Sequence, residues 1–537
     1  MCLREIPRAS QCLISGKSLN RVNRGSDKVF KRIKSAALRG IEAVPVEIEV
    51  DSTSGLPGFS LVGLPDNAVR EARERVVSAM RSCGFYGCST RMTVNMSPAD
   101  LRKEGASFDL GLAIGMLSAT EQIEIMNIEN YLFLGELSLD GRLRPVHGVL
   151  AVAANLARYA PETIFVVPYE NFEEAACVET LKVIAPKTLE ECLKRLQEPE
   201  MACCRYHECP PVSATQNKTA DFSQVYGMAT VKRALEISAA GAHNFLLVGS
   251  PGSGKTLCAR CLPGILPTMR RNESLESTII HSCAGMFGTC KGLMKSRPFR
   301  SPHHTATVAS LVGGMRLRPG EASLAHNGVL FLDELPEFQR AALESLRQPL
   351  EEGVVRLNRA SGSICFPASF VLGAAMNPCP CGYAMDNRRD CRCMPEAIKR
   401  YRTKVSGPLL DRIDLQVSVP SVPIDESRQG KIGESSDEIQ KRVERACEIQ
   451  ESRLKERKIF RNGHQDGKTL KDILFWDSDA ENFALKAAEK WRMSHRGYDR
   501  MLKVARTIAD LRQSVKVERP DLAEAIQYRA LETVWMD

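Results

Sequence analysis

The chain has 537 residues, 43% hydrophobic and 26% charged, an ordinary balance for a soluble globular protein of three or four domains. No run approaches the ~18 uninterrupted apolar residues of a membrane-spanning helix, and no apolar core follows the basic N-terminal residues as a signal peptide requires; no membrane partner and a cytoplasmic location are therefore expected. The formal net charge is +8, but residues 1–34 hold nine Lys or Arg against Glu5 and Asp27, a net +7, so the rest of the chain is close to neutral. Polyanion binding by the body must then come from local patches.

Residues 1–34 have no clear periodicity and are expected to form a basic N-terminal extension: an unstructured tail, a stretch ahead of the true start site, or a nucleic-acid-binding arm. Val44, Val46, Ile48 and Val50 alternate with Pro45, Glu47 and Glu49, the period of a half-buried strand. A helix is predicted over Asp66–Arg81 with Asp66 as its N-cap. Strands and helices alternate to about Leu196, giving a first domain over 35–196. Residues 197–221 are polar, with three prolines and no period, and read as a linker. Cys203, Cys204, His207 and Cys209 lie there at a spacing that fits no standard metal pattern. A third part spans 222–422. The remainder, 423–537, is helical, with apolar returns at three and four in Lys441–Lys458, Ala480–Arg492 and Tyr498–Leu511. Most of the 19 cysteines sit singly in apolar runs, as Cys258 and Cys261 do, and read as reduced core residues.

The chemistry is concentrated in the third part. Asn244–Val248 is a short apolar strand that runs into Gly249, Ser250, Pro251, Gly252, Ser253, Gly254, Lys255 and Thr256, and a helix is predicted over Leu257–Leu262. Strand, glycine loop and helix in this order form a phosphate-binding loop, whose backbone N–H groups and helix N-terminus face an anion. Lys255 is expected at the β- and γ-phosphates of ATP and Thr256 on Mg²⁺. A second apolar strand, Val329–Leu332, delivers Asp333 and Glu334 at its end: Asp333 for Mg²⁺, Glu334 as the base that polarises the attacking water. A third strand, Phe370–Met376, ends at Asn377, a polar tip placed to order that water. The loop after it carries Cys379, Cys381, Cys391 and Cys393, two C-x-C pairs able to offer four thiolates to Zn²⁺, or else redox-active dithiols or simple thiols. Lys291, Lys295, Arg297, Arg300, Arg316 and Arg318 gather before the acidic strand. They are candidates to hold DNA phosphates, or else cover a solvated loop. Arg412 on local grounds is an ion-pair partner of Asp411 or Asp414.

Three long stretches carry a family resemblance: Arg297–Thr305 (RPFRSPHHT), Gly313–Leu335 (GGMRLRPGEASLAHNGVLFLDEL) and Ala375–Tyr383 (AMNPCPCGY). The chain resembles the YifB/ComM family of magnesium-chelatase-like AAA+ ATPases from about Ser35 to its C-terminus. The resemblance implies an α/β fold: a Lon-protease-like N-terminal domain, shared with a ribosomal protein, then an AAA+ core with a parallel sheet, then a C-terminal helical lid. It implies that Asn377 is sensor 1, that Arg412 is an arginine finger completing a neighbouring subunit's site, and that sensor 2 is Arg496 or Arg500. Such a finger implies a ring of identical subunits, a hexamer. In the first domain Ser107 falls near the Lon catalytic serine, but the lysine position is Leu150. With no base beside it a serine hydroxyl is a poor nucleophile, so no peptidase activity is expected. ComM-like proteins imply a DNA helicase that migrates branched DNA in recombination or transformation. The competing expectations are the motor subunit of a metal chelatase, which lacks the Lon-like domain, and a protein-remodelling ATPase.

Overall fold

The computed structural model describes residues 29–529, except 64–65, 88–89, 100, 102, 104, 199–219, 288–291, 315–317, 360–361, 387, 421–432, 456–460 and 466. Most of the linker, with its cysteines and His207, lies outside the described residues.

The N-terminal half is built on a seven-stranded mixed sheet. Its strands are β1 (Val29–Arg39), β2 (Glu42–Thr53), β3 (Gly58–Val62), β4 (Arg91–Ser97), β5 (Tyr131–Phe133), β6 (Ile164–Val166) and β7 (Lys182–Ile184), in the order β3-β4-β2-β1-β5-β6-β7. The expected end of the basic extension at residue 34 is corrected here, because β1 starts at Val29. Ile33 and Ser35 are buried while Arg32 and Lys34 face outward, the two-residue period of a strand. In the antiparallel register Arg32 stands opposite Glu49 and Lys34 opposite Glu47, with Arg32 Nε 3.6 Å from Glu49. Opposite charges paired across strands favour this register. Three of the nine basic residues therefore belong to a neutralised hairpin. Helix α1 (Asn67–Ser82) begins as expected, with the Asp66 carboxylate accepting from Val69 N at 2.8 Å. Helix α2 (Asp109–Ala119) is apolar on every side from Leu110 to Leu117 and buried along its whole length, packed on β1 and β2. Helix α3 (Val149–Tyr159) lies at the boundary with the second half.

The second half holds a five-stranded, all-parallel sheet of β8 (Phe245–Gly249), β9 (Phe299–Arg300), β10 (Val329–Leu332), β13 (Val371–Met376) and β14 (Leu415–Val419), in the order β9-β10-β13-β8-β14. An antiparallel hairpin, β11 (Val354–Arg359) with β12 (Gly362–Pro367), precedes β13. The short apolar runs of the sequence become central strands because both faces of the sheet are covered. Phe245, Leu247, Val329 and Phe331 enter the core on one face; Leu246, Val248, Leu330 and Leu332 enter the core on the other. The first core is closed by helices α4 (Ala229–Gly241), α5 (Lys255–Cys261), α7 (Ser436–Leu454), α8 (Ser478–Lys490), α9 (His495–Leu511) and α10 (Arg519–Gln527), while α6 (Arg271–Cys283) lies toward the N-terminal part of the chain. The C-terminal helices share one buried core with the sheet, since Val443, Ala446, Met501 and Ala505 pack with Val231, Leu235 and Phe245.

The two halves are joined where α3 packs on α6. Glu174 is buried there and accepts from Leu150 N at 3.0 Å, from Asn171 at 2.9 Å, and from the Ser282 hydroxyl of α6. Burial pushes its carboxyl up from the usual range, and these donors oppose the push. Leu150 is thus a wholly buried core residue at this junction.

Candidate functional site

Because all five strands run parallel, the loops that follow β8, β10 and β13 emerge on one edge of the sheet. Residues far apart in sequence meet there. After β8 the chain turns through Ser250–Gly254 into α5. Gly254 has φ +86°, a left-handed conformation that favours glycine. Lys255 is buried, and its ammonium donates to Gly249 O at 2.7 Å, Ser250 O at 2.9 Å and Asn377 Oδ1 at 3.2 Å. Burial lowers its pKa, and Asp333 and Glu334 act in the opposite direction. The Ser253 hydroxyl is buried without a hydrogen-bond partner among the described residues. A buried cation folded onto its own loop, an orphaned hydroxyl and a helix N-terminus form a cradle that fits a polyphosphate. The Thr256 hydroxyl donates to Asp333 Oδ2 at 2.7 Å, which brings two hard oxygen ligands together for Mg²⁺. Glu334 follows with φ +53°, a strained left-handed conformation for a glutamate, and its side chain is 60% exposed. Strain of ~1–3 kcal/mol persists where the surroundings impose it, commonly at functional sites.

Two residues beyond Asn377 the thiols converge. Cys379, Cys381, Cys391 and Cys393 have Sγ atoms all within 4.8 Å of one another. Cys379 lies 3.3 Å from Cys381 and 3.6 Å from Cys391. Four thiolates around Zn²⁺ at about 2.3 Å stand about 3.8 Å apart, so the cluster fits the ion. The N–H groups of Tyr383 and Arg392 pull the Cys381 thiol down to about 6, toward the thiolate a metal needs. Cys258 and Cys261 behave in the opposite way: burial pushes them up to about 11 and about 12, as inert core thiols.

The three remaining arginines of interest cluster at the other end of the sheet. Arg412 is buried and pairs with Glu351; its Nη1 also donates to Pro408 O at 2.5 Å. Arg496 lies 3.7 Å from the same glutamate, and Arg500 lies 2.6 Å from Asp414. The local expectation that Arg412 pairs with Asp411 or Asp414 is thereby corrected, since Glu351 takes Arg412 and Asp414 takes Arg500. Leu415 pairs with Phe245 while the phosphate loop starts at Gly249, four residues or about 13 Å along the strand. Within one chain this cluster stands away from Lys255.

Comparisons agree with this layout. Family profiles described as "Subunit ChlI of Mg-chelatase", "Magnesium chelatase, subunit ChlI" and "Magnesium chelatase, subunit ChlI C-terminal" match residues 48–171, 221–427 and 433–529 in turn. Competence protein ComM of Haemophilus influenzae is 41% identical over 503 residues, covering 93% of this chain and 97% of that protein. YifB of Salmonella typhimurium is 40% identical over 504 residues, and YifB of Escherichia coli 39% over 510, each across 93% of this chain and 97% of its own. The chain belongs to the YifB/ComM magnesium-chelatase-like family.

As a member of this family it carries the AAA+ core whose parallel sheet is described above. Its basic insertion differs from the sequence expectation in two residues. Arg297 is largely enclosed and well partnered: it donates to Pro267 O at 2.7 Å and Asn327 O at 2.8 Å, and pairs with Glu273 at 2.9 Å. Arg300 is held by both oxygens of Glu321 at 2.7 and 2.8 Å. Both guanidinium groups already hold partners within this chain, Arg297 almost fully enclosed and Arg300 still partly exposed. Lys295 and Arg318 are exposed and have no ion-pair partner among the described residues. Lys291 and Arg316 lie outside the described residues. The sequence reading also missed His304. It follows β9, the neighbour of β10, and its Nδ1 stands 3.4 Å from Glu334, with the His303 ring 4.0 Å from its own. The pair His303–His304 sat in a family-like stretch, but nothing in a one-dimensional pattern ties it to an acid thirty residues on.

Proposed function

We propose that the protein is an ATP-hydrolysing ring motor that acts on DNA, a ComM-like helicase or branch-migration factor of recombination or transformation. The observation that carries the ATPase reading is the meeting of Lys255, Asn377, Thr256 and Asp333 on one sheet edge. In this reading the phosphate loop, Lys255 and Ser253 hold the phosphates of ATP, while Thr256 and Asp333 hold Mg²⁺, which supplies charge neutralisation at the phosphoryl oxygens. Glu334 takes the proton of the attacking water and Asn377 orients that water. Arg412 works in trans, since its own phosphate loop is distant. Arg496 or Arg500 serves as sensor 2 at the same boundary, and the ring is a hexamer. Cys379, Cys381, Cys391 and Cys393 bind Zn²⁺. The N-terminal half is a Lon-like scaffold without peptidase activity, its Leu150 built into the interdomain core.

Two things support DNA as the partner: similarity to a competence protein, and exposed cations on the insertion beside the acidic strand. The deciding experiment is ATP turnover with and without single-stranded, duplex and forked DNA. Stimulation by DNA is expected. Stimulation by unfolded protein, with none by DNA, moves the reading to protein remodelling.

A further inference from the structure

The four-cysteine loop does more than follow Asn377. It folds back onto the phosphate loop. Gly382, next to Cys381, lies so close to the loop that a Cβ there would stand 2.5 Å from Pro251 Cδ and 3.8 Å from Asn377 Cγ. Its φ of +86° makes glycine the residue that fits. Asp386 lies in the same turn, where the Arg388 N–H and the Ser250 hydroxyl hold its carboxylate below the usual range. Arg402 Nε donates to Pro378 O at 3.2 Å from the outer side, and Asn377 reaches Lys255 at 3.2 Å on the inner side. The thiol loop is thus fixed to Ser250, Pro251 and Asn377, three residues of the nucleotide cradle.

We propose that this loop, closed around one Zn²⁺, is the third wall of the nucleotide site, and that Gly382 and Asp386 are positioning residues through which metal occupancy sets ATP turnover. The proposal rests on the ATPase and zinc readings above. A chain segment of fifteen residues, 379–393, whose described residues form no helix or strand, needs a cross-link to keep Asn377 and the loop in register. Four metal–thiolate bonds supply one. Without them the wall loosens, and a displacement of about 1 Å at such a site costs roughly 10²-fold in rate.

The test uses the full chain. Elemental analysis of protein purified without added metal is expected to give about one zinc per chain. Removing it with a strong chelator is expected to lower kcat about 10- to 100-fold with secondary structure unchanged by circular dichroism, and added Zn²⁺ to restore it. Gly382→Ala keeps all four thiolates and is expected to retain zinc yet lose turnover. Asp386→Asn, which keeps the side-chain size, is expected to raise KM for ATP roughly ten-fold, as loss of one charged hydrogen bond does. Zinc-free protein with native kcat and KM overturns the coupling while leaving the zinc and ATPase readings intact. Protein that never holds zinc overturns the proposal together with the zinc reading. Zinc-loaded protein without any ATP turnover overturns it together with the ATPase reading.

Discussion

At the scale of single residues the site divides into groups that bind and one that reacts. Lys255 is a buried cation folded onto backbone carbonyls, so Lys255→Ala is expected to abolish binding of a fluorescent ATP analogue. Glu334 reaches outward and stands 3.4 Å from His304, and the role proposed for it is to take a proton. Glu334→Gln is expected to bind ATP normally and to lose about 10²- to 10⁴-fold in turnover, the usual worth of a general base. Unchanged turnover in this variant would remove Glu334 from the base position. Asp414 makes a different kind of demand. Burial disfavours its charge, but Arg500 and His243 outweigh burial and hold its carboxyl well below the usual range. A carboxyl whose folded-state pKa lies below its unfolded value of about 3.9 contributes stability above that value and loses it as pH falls. Unfolding midpoints measured from pH 7 down should therefore drop faster in the native chain than in Asp414→Asn below about pH 4. At pH 7 the variant should be about 3 kcal/mol less stable, because Arg500 is left without its partner.

At the scale of elements, what the sequence reveals depends on how local the cause is. The three strands of the nucleotide site are legible because FLLV, VLFL and VLGAAM are apolar on both faces and are followed by the glycine loop, by Asp333 and by Asn377. The Asp66 cap is legible because capping acts over three residues. The start of β1 is not legible from the chain itself, because Lys31, Arg32 and Lys34 look like a solvated tail until Glu49 stands opposite Arg32 and Glu47 opposite Lys34. Arg297 and Arg300 mislead for the same reason: their partners Glu273 and Glu321 sit more than twenty residues away. His304 and Glu351 enter only through tertiary contact. Glu351 bears on a test of the arginine cluster, since it holds Arg412 on the short helix Arg347–Glu352, away from its own phosphate loop. Arg412→Ala is expected to leave ATP affinity within a few-fold of native while lowering hydrolysis about 10³-fold, as loss of an arginine finger does. Mixtures of Arg412→Ala with Lys255→Ala subunits should regain turnover, because each supplies what the other lacks. Mixed rings that stay inactive while subunits demonstrably exchange would argue against action in trans.

At the scale of the whole molecule the question is what the proposed ring would hold. Outside residues 1–34 the chain is nearly neutral, so no global field draws a polyanion to it. A few exposed cations become a strong site only when several subunits bring copies of them around one channel. Lys295 and Arg318 are such cations, joined in sequence by Lys291 and Arg316, whereas Arg297 and Arg300 are committed to the fold. Assembly should therefore control affinity, with tighter DNA binding in the ATP-bound ring than in dissociated subunits. Each phosphate contact adds about −0.9 to the slope of log K against log salt on duplex DNA and about −0.7 on single strands. Replacing Lys291, Lys295, Arg316 and Arg318 by glutamine should flatten that slope by several units per ring and leave ATP binding unchanged. Replacing Arg297 by glutamine should instead destabilise the chain, because the buried carbonyls of Pro267 and Asn327 lose their charged donor. Deletion of residues 1–28 is the necessary control, since that segment could bind DNA by charge alone while Lys31, Arg32 and Lys34 must stay to complete β1. If the truncated ring shows neither DNA binding nor DNA-stimulated ATP turnover at low salt, the DNA motor reading fails, and the same four substitutions become the probe for a protein substrate in that channel.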